Sequence, residues 1–167
     1  NVENVVANLG TALTDKQITI LTQYFDHIII CFDSDTSGKN AALRAAENSV
    51  KELQPNKKIS FLFLPEKEDP DSFINKKGKT QFLKFSEENL ISIYDFIFSS
   101  YKQKVDNNPS SLAVFEKKLR NSANSIKDSF VKKYVLEFYL EKISELTPNL
   151  KKEKKFYLKR KKSLSIT

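Results

Sequence analysis

Apolar positions along this chain fall into two regimes. In the first half they come as short unbroken runs, "HIIICF" at 27–32 and "ISFLFL" at 59–64, separated by polar stretches; beyond residue 90 they recur every three or four residues. Short runs rich in β-branched and aromatic residues predict strands, and runs with no polar alternation predict strands buried on both faces. "VVANL" at 5–9 predicts a further short strand closed by Gly10. Thr14 with Gln17 three residues on is a capping-box pattern, which predicts a helix over 14–25. Ser37 and Gly38 predict a turn into a helix running to about Leu53, with Ala42, Ala46, Val50 and Leu53 as its apolar stripe. Pro55 and Asn56 then turn the chain into the second strand.

Strand, helix and strand at this spacing predict a βαβ unit with parallel strands. Both strands then end at one edge of the sheet, where open α/β folds place their ligands. From residue 90 the spacing predicts helices. "LISIYDFIFSSYKQKV" puts Ile91, Tyr94, Asp95 and Phe98 on one face, and Asn107, Asn108 and Pro109 break it. Ser110 or Ser111 is the expected cap of the next helix. Leu112, Phe115, Leu119, Ile126, Phe130 and Tyr134 continue the period over two helices meeting near Asn124. Phe96, Phe98, Phe130 and Phe138 are expected to be buried in a helical layer covering the core. The expected fold class is α/β, a mostly parallel sheet flanked by helices over 1–88, followed by an α-helical subdomain over 89–167. No internal repeat or low-complexity linker is visible.

The loops at the shared edge change the picture from fold to chemistry. "DSD" follows the first strand and "PEKEDPDSF" the second, so Asp33, Asp35, Glu66, Glu68, Asp69 and Asp71 are expected to share one rim. Like charges about 4 Å apart repel by several kcal/mol at intermediate dielectric, and a hard divalent cation removes that cost. Oxygen donors without His or Cys beside them point to Mg²⁺ or Mn²⁺ rather than zinc. The plainer alternative is that these carboxylates N-cap the helices that follow. His27 and Cys31 have no partner residues at ligand spacing and read as packing residues of the strand.

Net charge is +7, but its excess is local: residues 147–167 hold eight Lys or Arg against Glu153 alone, while the remainder is neutral overall. That basic tail could meet phosphate backbone or be a solvated helix. One cysteine excludes a disulfide framework and a Cys-based zinc site. No apolar run approaches the roughly 18 residues of a membrane span, and no signal-peptide pattern opens the chain. The expectation is a reduced, soluble, cytoplasmic protein. The absence of methionine and an opening that reads as mid-fold suggest a fragment.

"CFDSDTSGKNAALRA" together with "FLFLPEKEDPDSFINKKGK" resembles the TOPRIM part of bacterial DnaG-type DNA primases, and "ANLGTALTDKQ" resembles the segment just before it. The likeness covers about residues 1–85; the later helices fit that family's helical subdomain without a diagnostic motif. It implies magnesium-dependent synthesis of short RNA primers on a single-stranded DNA template from ribonucleoside triphosphates. It further implies that Asp33, Asp35, Asp69 and Asp71 are metal ligands, with Asp33 and Asp35 catalytic and Glu68 beside them. Lys39 matches a basic residue opening the helix after D-x-D, a possible phosphate contact along with Lys151, Lys152, Lys159 and Arg160 of the tail. In that family a preceding strand ends in a Glu that completes the metal site, and a further domain meets the replicative helicase. Neither is recognisable in this chain, which on that basis is expected to be inactive by itself. Other TOPRIM enzymes, topoisomerases or nucleases, share D-x-D. A haloacid-dehalogenase-type phosphatase also begins with a strand ending in D-x-D, and the helical half alone could be a non-catalytic docking module.

Overall fold

A computed structural model of the chain describes residues 2–7, 13–65, 68–103, 105–106 and 108–146. The order is α1 (Asp15–Tyr24), β1 (His27–Phe32), α2 (Thr36–Ser49), β2 (Lys58–Phe63), α3 (Pro70–Lys77), α4 (Lys79–Asn89), β3 (Ile91–Ser92), α5 (Ile93–Lys102), α6 (Pro109–Asn124) and α7 (Ser129–Leu146). A single 3-10 turn, Val50–Glu52, extends α2 to Leu53.

The expected capping box opens α1: the Gln17 N–H donates to Thr14 Oγ1, and the Gln17 side chain accepts from the Thr14 N–H. The α2 stripe is as expected, with Ala42, Ala46, Val50 and Leu53 all buried. β1 and β2 pair in parallel from His27↔Lys58 to Phe32↔Phe63, and the Leu64 N–H carries the ladder one step further to the Phe32 carbonyl at 3.2 Å. The sheet is therefore mixed but mostly parallel, in the order β1-β2-β3, with β3 antiparallel to β2 through Ser60↔Ser92 and Phe61↔Ile91.

Several expectations are corrected. Residues 5–7 form no strand, and Val5 and Val6 are exposed; Asn8 to Gly10 lie outside the described residues. Only β2 is buried on both faces. β1 pairs with β2 alone among the described residues, so as an edge strand it leaves Ile29 exposed. Residues 91–92 are strand rather than helix, and the face α5 buries is Ile93, Phe96, Ile97 and Phe98. Asn108, not a serine, caps α6, its Oδ1 accepting from the Ser111 N–H at 2.8 Å with Pro109 at the first helical position. α6 and α7 do meet just beyond Asn124, but Phe130 and Tyr134 are exposed while Phe115, Leu119 and Ile126 are buried.

One hydrophobic cluster runs through the whole arrangement, from Ile18 on α1 and Ala42 on α2 through Phe61 on β2 to Ile97 on α5, Leu119 on α6 and Tyr139 on α7. Stacking of Phe61 on Phe96, with centroids 4.7 Å apart, joins sheet to helices. A smaller cluster, Leu62, Leu64 and Phe73, seats α3 and α4 on the other face of β2. No helix among the described residues is long and apolar enough to cross a membrane.

Candidate metal-binding edge

Because β1 and β2 run parallel and end in register, the loop with Asp33 and Asp35 and the loop with Glu68 and Asp69 leave neighbouring strands at the same edge. Strands pair about 4.8 Å apart, so the two loops are forced together there. The first loop is tight. A Cβ on Gly38 would lie 2.2 Å from the Asp33 carbonyl oxygen, so only glycine allows the first turn of α2 to close over Asp33. Asp35 caps that turn, its Oδ1 accepting from the Gly38 N–H at 2.6 Å. The helix begins at Thr36, one residue earlier than the Ser37–Gly38 turn suggests.

The second loop is built the same way. Asp69 caps α3 in a capping box: its Oδ1 accepts from the Ser72 N–H at 2.7 Å, and Ser72 Oγ accepts from the Asp69 N–H at 2.9 Å. Pro70 at the first helical position suits this start, since its missing N–H has no helical acceptor to lose. Glu68 accepts from the Ser72 hydroxyl at 2.7 Å and from Lys76 Nζ at 3.0 Å. Asp71 Oδ2 accepts from the Asn75 side-chain amide at 3.0 Å. The Ser72 N–H holds the Asp69 carboxyl below the usual range, and the Ser72 hydroxyl and then Lys76 do the same for Glu68. Both are therefore firmly ionised acceptors near neutral pH.

The loops share an edge as expected, but the described carboxylates there do not by themselves form a ready metal site. Among the described residues no group of three or more His, Cys, Asp or Glu stands where it could hold a metal ion. The reason is local, since Asp35 and Asp69 turn back onto their own helices and Glu68 onto Ser72 and Lys76. Glu66 lies outside the described residues, as do Lys151, Lys152, Lys159 and Arg160. Lys39 is exposed on the first turn of α2. In donor type the set fits a hard divalent cation, being oxygen-only and solvent-facing. In position it fits as part of a site.

Sequence reading missed the role of Ser72, which the spacing D-P-D-S offers as the third helical residue of a capping box. It also left open what Cys31 feels. Burial, and after it the charge of Asp33, pushes that thiol up to about 11.

Residues 1–74, which contain this α/β unit and both acidic loops, match the model of the family described as "Toprim-like". The similarity extends beyond that unit into the helices. The chain is 42% identical over 105 residues to the DNA primase of Pasteurella multocida, a stretch that is 63% of this chain and 18% of that protein. A DNA primase domain from Pseudomonas aeruginosa superposes with a TM-score of 0.74 at 28% identity, covering 84% of this chain and 43% of that one. A DnaG primase catalytic domain solved bound to single-stranded DNA gives a TM-score of 0.74 at 27% identity, over 80% of this chain and 43% of that one. Over its Toprim-like stretch and the helices after it the chain is similar to part of the catalytic domain of bacterial DNA primases. It spans about a fifth of the length of that curated relative and under half of those solved chains.

Proposed function

We propose that this chain forms the acidic, metal-binding part of a primase catalytic core, within a protein that makes short RNA primers on single-stranded DNA by nucleotidyl transfer. The observation that carries this reading is the in-register ending of β1 and β2, which brings "DSD" and "EDPD" to one edge. Asp33, Asp35, Asp69 and Asp71 would hold Mg²⁺ or Mn²⁺ together with a carboxylate from elsewhere in the protein, Asp33 and Asp35 nearest the reaction and Glu68 beside them. A divalent cation held by these residues would supply positive charge against the phosphate charge that develops in transfer. The chain's own part is positioning: the caps of α2 and α3 fix two of the carboxylates, and the Ser72 and Lys76 contacts keep Glu68 ionised. Lys39 and the tail residues Lys151, Lys152, Lys159 and Arg160 would meet phosphates of the template or of a ribonucleoside triphosphate. The likeness to a catalytic domain bound to single-stranded DNA supports that partner. The replicative helicase would be met through parts of the protein beyond this chain, in the cytoplasm and away from membranes. Primer synthesis should need the rest of the core, so this chain by itself should be inactive.

A second reading is favoured by the observed caps of Asp35 and Asp69, that the carboxylates do nothing else. Titration of Mn²⁺ followed by electron paramagnetic resonance separates the two. Asn caps helices about as well as Asp, so Asp→Asn at 33, 35, 69 or 71 leaves the fold in place. A metal site requires wild type to take up Mn²⁺, its melting temperature to rise with the ion, and Asp33→Asn and Asp71→Asn each to weaken uptake at least about tenfold. Uptake that is absent, or equal in all five proteins, would leave only caps.

A further inference from the structure

At the opposite end of the sheet from the acidic loops, where β2 begins, α7, α5 and the turn before β2 enclose an open groove of about 360 Å³. Its walls include Pro55, Tyr94, Phe130, Val131, Tyr134 and Phe138. Phe130 and Tyr134 are 68% and 63% exposed, an unusual placing for two aromatic side chains one helical turn apart. The same face of α7 continues as Glu137, Glu141 and Glu145, at the four- and three-residue spacing that lines up side chains on a helix. All three are exposed, and none has an ion-pair partner among the described residues. An apolar groove thus leads into an acidic stripe that ends beside Leu146.

We infer that this surface is the docking site of the chain's own basic segment, residues 151–162. That segment, "KKEKKFYLKRKK", has the complementary order of chemistry, Phe156, Tyr157 and Leu158 set between two clusters of Lys and Arg. Its aromatic residues match the groove, and Lys154 and Lys155 just before them, cations distinct from those assigned to phosphate, match the glutamates. Length permits it. From Leu146 back to Tyr134 is about 18 Å along a helix, and the eleven residues from 147 to Tyr157 span up to about 36 Å. The chain enters that stretch through Thr147, Pro148 and Asn149, a composition suited to a reversal of direction.

The protein has no tryptophan, so one placed in the groove reports on its cover. In the full chain, Phe130→Trp should emit to the blue of the same protein carrying Phe156→Ser, Tyr157→Ser and Leu158→Ser, and the difference should persist on dilution. Glu137→Lys with Glu141→Lys should move the emission to the red, and Lys154→Glu with Lys155→Glu should restore it. Identical emission with and without the apolar triad, or no restoration by the charge swap, would overturn the proposal. A blue shift lost on dilution would overturn it in favour of a second copy of the chain.

Discussion

Cys31 makes the acidic edge measurable at the scale of a single residue. Its thiol is held up first by burial and then by Asp33, so alkylation should be slow at pH 8 and climb as the pH approaches about 11. Asp33→Asn should speed the reaction at any fixed pH, and so should a divalent cation settling beside Asp33 in wild type; iodoacetamide rates give both. The proton balance of nearby groups sets a second expectation. Asp69 and Glu68 titrate below their unfolded values of 3.8 and 4.5, so their contribution is complete above those values and is lost as pH falls through the lowered folded ones. His27 is also lowered, by burial and then by Lys58, from 6.5. Here the unfolded chain binds the proton first, so stability falls as pH drops below 6.5. Denaturant midpoints between pH 7 and pH 3 should decline in two steps, the upper absent in His27→Gln and the lower shallower in Asp69→Asn.

At the scale of elements, Gly38 is where one methyl group decides the geometry of a loop. Alanine there would favour the helix by about 1 kcal/mol in propensity. The contact with the Asp33 carbonyl is far inside van der Waals range, and overpacking of this kind costs about 1–3 kcal/mol. Gly38→Ala should therefore melt lower and, by moving Asp33 off the turn, take up Mn²⁺ less well. The elements legible beforehand were those whose signal is local: the Thr14–Gln17 box, the α2 stripe and the two apolar strands. What escaped was decided by tertiary position. Nothing in "HIIICF" says that β1 has a strand on one side only among the described residues. Nothing in "LIS" separates a two-residue strand from a helix start, because its partner is Ser60, some thirty residues upstream. A stripe running across Asn124 assumed that two helices share one phase, and Phe130 and Tyr134 show that they do not. The acidic edge was readable as an edge, from strand polarity, and capping was readable as the plainer alternative; that Asp35 and Asp69 do cap was decided by side-chain rotation.

At the scale of the molecule, the α/β part and the helices after it share a single core. Ile97 on α5 is fully buried in the cluster that also holds Ala46 of α2 and Phe61 of β2. Ile97→Ala should cost about 2–5 kcal/mol, and the loss should be felt at once by far-ultraviolet dichroism and by Cys31 alkylation, on the other side of the sheet. Two separated transitions would mean that the parts fold independently. The stacked pair Phe61 and Phe96 has a consequence for how such a protein can be rearranged by recombination. A breakpoint between α4 and β3 would separate the two rings, and with them Ala46 from Ile97, leaving each parental piece with a wet apolar wall that its new neighbour was never selected to cover. Chimaeras of related sequences should therefore survive when α1 to α7 travel as one cassette and fail when the exchange is confined to the acidic half, even though that half carries every carboxylate at the shared edge.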